Sequence, residues 1–422
     1  MYSYKKIIEK ISGKKDLIEN IVSLMSIRGL EYLSYIVLIP YLVRVLGPNK
    51  FGVLALVQAV LQYFVVINNY GFNYSSTREI AICSENKERL HILCTTLASK
   101  LLIFLFSSLI FGLALYLDLF PIIDIRLFLV CYVVVIGNVL FPIYFFQGIE
   151  KMRFLTVSNI ISRVICIVCV FCFVKNEDDY ILAGFLQSMP PLISALIAFL
   201  LIVRIYGINF VNIPNWNDIK ISIINGWDLF LAGVASNLYT SSNVVVLGYM
   251  VPAEIVGYYS GADKIIRSII GVFTPVTQAL YPYVSRHISI SSEHAKDLVK
   301  RIFKIYLFLG LAMTFICYCY GEYFVVFLLG DKFINSIELF EIMTPLLLII
   351  LLSGVCGVVI LVAFGLKKYF RSSLLSGMCI NFVLIFPMIN FFDAKGLAIT
   401  NLIVEGSILC LMLCYIRKYI YH

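Results

Sequence analysis

The sequence predicts an all-α polytopic membrane protein of about twelve transmembrane helices, arranged as two parallel-repeat six-helix bundles. Three observations lead there: the chain is oily throughout, its apolar runs have the length of bilayer crossings, and matching motifs recur six runs apart. Of 422 residues 61% are hydrophobic and 14% charged, and the mean hydropathy is +0.94. Soluble domains sit near half apolar and a quarter charged. A spanning helix needs about 20 mostly apolar residues. Such runs cover roughly 21–43, 51–68, 92–117, 127–149, 155–174, 181–205, 222–250, 254–284, 302–320, 338–364, 368–391 and 396–416. They are continuous rather than alternating, which excludes a β-barrel.

The first 20 residues, MYSYKKIIEKISGKKDLIEN, are polar and basic and lack the apolar core of a cleavable signal peptide. The first helix is therefore expected to act as the insertion signal. With twelve spans, the termini and alternate loops on one side hold 22 of the 33 Lys and Arg, while the opposite loops hold six. The positive-inside rule then places both termini in the cytoplasm. The net charge of +8 follows from this topology and needs no nucleic acid. The resulting division is a basic N-terminus at 1–20, bundles at 21–210 and 211–416, and a short cytoplasmic tail at 417–422.

The chain has 12 Cys, and Cys166, Cys169 and Cys172 form a CxxCxxC run. Without a companion ligand cluster, and with four His in all, this reads as small apolar residues on a lipid-embedded helix rather than a metal site. Every loop is short; the longest outer one, about 321–337, is GEYFVVFLLGDKFINSI. No Walker, GxSxG or HExxH motif occurs. With no convergent catalytic constellation, the chain reads as a transporter rather than an enzyme.

Two pairs of motifs suggest an internal repeat. YLVRVLGPNKFGVLALVQA (41–59) matches NVVVLGYMVPAEIVGYYSGA (243–262): each reads LG, a short polar turn, then a Gly-anchored entry, at Gly52 and Gly257, into the next helix. FFQGIEKMRF (145–154) matches VAFGLKKYFR (362–371) in the same way. Six spans separate the matched positions, so the halves share one orientation, and such repeats hold substrate between them.

A charge at mid-membrane costs roughly 2.5–3.5 kcal/mol on insertion scales, so intramembrane charges face a partner or a hydrated cavity. The candidates are Arg28 and Glu31, Lys100, Arg163, Asp228, the trio Asp263, Lys264 and Arg267, and Glu405. Asp228, beside Trp227, reads as interfacial. Arg28 with Glu31, and Asp263 with Arg267, are spaced to neutralise each other on one helix face. Lys264 points elsewhere. If its helix starts just after Pro252, Arg267 lies about 21 Å along it, near the middle of a core about 30 Å thick. Lys100 and Arg163 have no acidic neighbour nearby in sequence. A basic, water-filled cavity formed by Arg28, Lys100, Arg163, Lys264 and Arg267 implies an anionic cargo such as a phosphate or acidic sugar.

At this point a resemblance is visible. IRGLEYLSYIVLIPYLVRVLGPNKFGVLALVQAV, NYGFNYSSTREIA (69–81), FPIYFFQGIEKM (141–152) and SNLYTSSNVVVLGYMVPAEIVGYYSGADKIIRSIIGVFTPVTQALYPYVSR resemble the O-antigen flippases. These are polysaccharide-biosynthesis membrane proteins of the superfamily that also contains the multidrug and toxin extrusion (MATE) transporters. The resemblance runs from about residue 18 to the C-terminus. It implies a MATE-like fold in the bacterial inner membrane. It also implies a cargo of undecaprenyl-pyrophosphate-linked oligosaccharide, either O-antigen or a similar repeat unit. Cargo would move between leaflets by alternating access around a cationic cavity. No cofactor is implied; Glu31, Asp263 or Glu405 could exchange H⁺ or Na⁺ to bias the cycle. The pathway's polymerase and chain-length regulator are the expected protein partners.

Three competing readings fit less well. A multidrug/cation antiporter of the same superfamily would favour an acidic cavity. An O-antigen polymerase would carry a large periplasmic loop. A lipid II flippase usually has helices beyond twelve.

Overall fold

A computed structural model describes residues 37–83, 85–117, 124–207 and 214–420. Arg28 and Glu31 lie outside the described residues. Among those described, eight helical segments are long and apolar enough to cross a membrane. Two of them, Val37–Ile82 and Lys367–Ile420, run to 46 and 54 residues. At about 1.5 Å per residue each is far longer than one hydrocarbon core of about 30 Å. Both are broken. In the first, Gly47 takes φ +68° before Pro48, and the helical run α1 (37–69) gives way at Tyr70 and Gly71 to α2 (Phe72–Ile82). The second, α16 (Lys367–Ile420), is two helices joined at Asp393, whose φ of 50° and ψ of −133° are not helical.

Between them the chain forms α3 (Asn86–Tyr116), the broken crossing α4 (Ile125–Cys131), α5 (Val133–Leu140) and α6 (Ile143–Gly148), and then α7 (Met152–Phe173). Helices α8 (Tyr180–Ser188) and α9 (Pro190–Tyr206) follow. The break between α5 and α6 falls at Phe141–Pro142, and Pro190 opens α9. A proline lacks an amide hydrogen and is best tolerated in a first helical turn. Next come α10 (Trp216–Met250), α11 (Ala253–Ile290), α12 (Ser292–Cys319), α13 (Gly321–Leu329), α14 (Ser336–Met343) and α15 (Pro345–Gly354). From Val355 to Val362 the last of these continues as a π-helix before α16.

The chain forms two compact units. Of the described residues, one unit contains those between 57 and 238; the other joins those between 239 and 420 to 37–56. Helices α1 and α10 therefore each contribute to both. In the first unit the core gathers Ile80, Leu93, Tyr144, Phe145, Met152 and Ile202 where α2, α3, α6, α7 and α9 meet. In the second it gathers Val284, Val299, Val359, Val404 and Met412 from α11, α12, the π-segment and α16. Aromatic and aliphatic side chains fill the first core and mostly aliphatic ones the second, since backbone polar groups are satisfied inside helices and side-chain packing selects neighbours.

The two glycine-anchored turns matched in the sequence pack on one another within the second unit. A Cβ on Gly52 would overlap the carbonyl oxygen of Ala253 and sit 2.7 Å from the Gly257 amide nitrogen. One on Gly257 would overlap the Pro48 carbonyl oxygen. Small residues at helix contacts of this kind let backbones approach closely in lipid.

Candidate functional site: a charged and polar cluster on α10, α11 and α16

In the second unit α11 carries Tyr259, Asp263 and Arg267 at four-residue spacing, so all three share a face. The Arg267 Nε donates to both carboxylate oxygens of Asp263, at 2.9 and 2.7 Å. The acid is the better shielded partner, with 14% of its side chain exposed against 50% for the arginine. The guanidinium is thus anchored at one edge and open at the other. Glu405 on α16 acts electrostatically on the same guanidinium. Lys264, one residue round the helix from Asp263, holds its ammonium 4.7 Å from the centre of the Phe51 ring on α1. A cation over an aromatic face is stabilised by the ring quadrupole, more so where water is scarce.

Beneath these charges is a relay of buried amides. Asn381 Nδ2 donates to Asn243 Oδ1 at 3.0 Å, Asn243 Nδ2 to Asn401 Oδ1 at 2.7 Å, and Asn401 Nδ2 to the Tyr259 hydroxyl at 2.7 Å. Their exposures are 0%, 4%, 8% and 1%, in the order Asn381, Asn243, Asn401, Tyr259. The chain ties α10, both halves of α16, and α11 into one polar seam. It ends on the residue one turn before Asp263. Sequence reasoning followed formal charge and passed over these asparagines; an amide inside an apolar run was the signal available, as in INFVLIF and ITNLIVEG.

The cations of the first unit are placed differently. Lys100 on α3 is 1% exposed. Its ammonium donates to the Asn138 carbonyl oxygen on α5 at 3.2 Å and lies 5.5 Å from the centre of the Tyr144 ring on α6. Arg163 on α7 is half-buried. The structure therefore brings Asp263, Lys264, Arg267 and Glu405 into one region and holds Lys100 and Arg163 on separate helices of the other unit. Among the described residues no group of three or more His, Cys, Asp or Glu is arranged to hold a metal ion.

Outside the spans, Asp124 caps α4. It accepts the Arg126 amide at 2.8 Å and the Tyr180 hydroxyl at 3.2 Å. Those bonds, the Arg126 amide first, hold its carboxyl below the usual carboxylate range.

These features define a class: a multi-spanning, all-helical membrane protein with ionisable groups kept inside its spans. The fold is that of two known kinds of transporter. The lipid II flippase MurJ, in its inward closed conformation, superposes with a TM-score of 0.71, covering 95% of this chain and 87% of that one at 15% identity. An inward-facing multidrug resistance MATE family transporter of the MOP superfamily gives 0.69, covering 94% and 98% at 14% identity. Residues 17–288 match the family described as polysaccharide biosynthesis protein, and the chain belongs to that family. It is 30% identical over 409 residues to the "Putative O-antigen transporter" of Escherichia coli strain K12, covering 96% of this chain and 98% of that protein. A protein of the same description from Shigella dysenteriae is 28% identical over 400 residues, covering 94% and 98%. Relatives and structural neighbours are named as transporters or flippases, not enzymes.

Proposed function

We propose that this protein moves a lipid-linked oligosaccharide across the bacterial inner membrane by alternating access, the cargo being an undecaprenyl-pyrophosphate-linked repeat unit such as O-antigen. The observation that carries the reading is the pair of cations on α11: Lys264, half-buried over the Phe51 ring, and Arg267, half-exposed and paired with Asp263. Arg267 is fastened to Asp263 by one edge, which leaves guanidinium N–H groups for a second acceptor. A planar fork with spare donors suits a phosphate oxygen pair. The relatives' descriptions support the glycan class of cargo, and the shared fold supports flipping rather than catalysis.

In this reading Lys264 and Arg267 bind the diphosphate, and Arg28, Lys100 and Arg163 supply further positive potential along the route. Lys100, enclosed between α3, α5 and α6, would reach cargo only in a state that parts those helices. Asp263, Glu405 or Glu31 exchanges H⁺ or Na⁺ and so biases the cycle; within the second unit both Asp263 and Glu405 act on Arg267. Twelve crossings place both termini in the cytoplasm, and a polymerase and chain-length regulator take over the delivered repeat units.

The test is complementation. In a strain deleted for the gene, Arg267→Ala and Lys264→Ala, each present at wild-type protein level, should lower surface glycan at least about tenfold on lipopolysaccharide gels, the loss expected for one charged contact of about 1.4 kcal/mol. Wild-type glycan from both variants would overturn the assignment of this site.

A further inference from the structure

The second unit has a groove whose lining shares no residue with the cluster above. Its floor is Cys356 and Ile360, four apart on the π-helix, and its walls are Phe303 on α12 with Leu413 and Ile416 on α16. The groove has a volume of about 220 Å³, larger than the roughly 150 Å³ cavities that accept a benzene-sized ligand. Its lining is almost wholly apolar, yet Lys300 and Lys304, one turn apart on α12, stand at its rim. Lys300 also lies 3.9 Å from the exposed Asp297 carboxylate.

The π-segment lines one side of the groove. Eight residues of i→i+5 winding are rare, and local π-winding is frequent at functional sites. Cys356 and Ile360 of this segment line the groove while the segment itself stays packed, at 0% and 2% exposure. The surrounding chain is basic: Lys296, Arg301 and the last-turn pair Arg417 and Lys418 flank the rim in sequence. An apolar slot with two lysines in its lining matches one chemistry, a phosphate joined to an acyl chain. Basic clusters beside membrane helices attract anionic lipid headgroups.

We propose that this groove binds an anionic phospholipid of the surrounding leaflet, its phosphate on Lys300 and Lys304 and one acyl chain along Phe303, Ile360 and Leu413. The site is separate from the cargo site and does not depend on the transport reading. Charge complementarity selects the occupant: a zwitterionic lipid carries its own cation beside the phosphate and would gain less from the two lysines.

The experiment is native mass spectrometry of the full chain in neutral detergent, titrated with phosphatidylglycerol, phosphatidylcholine or a polyprenyl phosphate. Wild-type protein should hold one phosphatidylglycerol in preference to phosphatidylcholine. Lys300→Gln/Lys304→Gln should weaken that adduct about thirtyfold, at about 1 kcal/mol for each cation near the surface. Leu413→Trp, at a lipid-exposed position, should fill the slot and weaken it with the lysines intact. Equal binding of the two phospholipids by the wild type, or unchanged adducts in both variants, would overturn the proposal. So would a polyprenyl phosphate that displaces phosphatidylglycerol at equal or lower concentration, because the groove would then belong to the cargo's tail.

Discussion

Gly52 and Gly257, 205 positions apart in the chain, meet backbone to backbone: the space a Cβ would need on either is filled by a carbonyl oxygen from the other's turn. Each stands just after LG and a short polar turn. The matched motifs therefore make a contact as well as a pattern. Two helix entries seat against each other because neither carries a side chain.

That contact leads to a packing prediction. Gly52→Ala and Gly257→Ala should each destabilise the protein by about 1–3 kcal/mol or more, since rigid backbone rather than a movable side chain must give way. Gly112→Ala on α3, where a new Cβ meets nothing within 4 Å, should be neutral or gain up to about 1 kcal/mol of helix propensity. Thermal unfolding of the detergent-solubilised protein, followed by size-exclusion, orders the three.

The asparagine relay predicts coupling between distant positions. Asn401→Ala removes the middle of a chain whose members are nearly all buried, leaving both the Asn243 amide and the Tyr259 hydroxyl to find new partners. The cost should be about 1–3 kcal/mol. A double-mutant cycle of Asn243→Ala with Asn401→Ala should give a coupling of about 0.6–1.7 kcal/mol, the range measured for interhelical hydrogen bonds in membranes. Additive losses would show that the two amides do not act as one seam.

Arg267 gives a prediction that separates charge from geometry. Arg267→Lys keeps the positive charge but cannot hold Asp263 through one N–H while presenting a planar fork elsewhere. Glycan display should fall to a level between wild type and Arg267→Ala. Asp263→Asn removes the anchoring anion without changing shape, and should reduce display while leaving the amount of folded protein nearly unchanged. Display equal to wild type in Arg267→Lys would show that only charge matters.

Asp124 predicts a pH dependence. Its folded carboxyl titrates below the unfolded value, so the stability it contributes is present above about pH 4 and is lost as pH falls through the folded pKa. Asp124→Ala should lower the unfolding free energy by an amount on the order of 1 kcal/mol, as for other N-caps. That difference should stay constant from pH 8 to pH 5 and shrink only in acid. A difference that disappears near neutral pH would contradict the capping role.

Membrane residence, helical spans and the basic α11 were all legible in the sequence because each is a local property. Transfer free energy sums along about 20 residues, and a lysine in such a run is conspicuous by itself. The Asp263–Arg267 pair was legible for the same reason: four-residue spacing on one helix decides it. The breaks were less so. Pro142 and Pro190 announce theirs, and the polar Asp393–Lys395 stretch between the runs 368–391 and 396–416 marks the bend at Asp393, but the π-winding of Val355–Val362 rests on residues with no turn chemistry of their own.

By itself, then, the chain determined what must leave water and what resists leaving it. Where the reluctant groups go was decided by tertiary structure. Asn243 finds Asn401 across 158 positions and Asn381 across 138, and Lys100 ends on the Asn138 carbonyl oxygen rather than on an acid. The physical reason is that helix formation satisfies the backbone span by span. A side-chain amide or ammonium is satisfied only by a partner that helix packing brings within about 3 Å, and no local pattern names that partner.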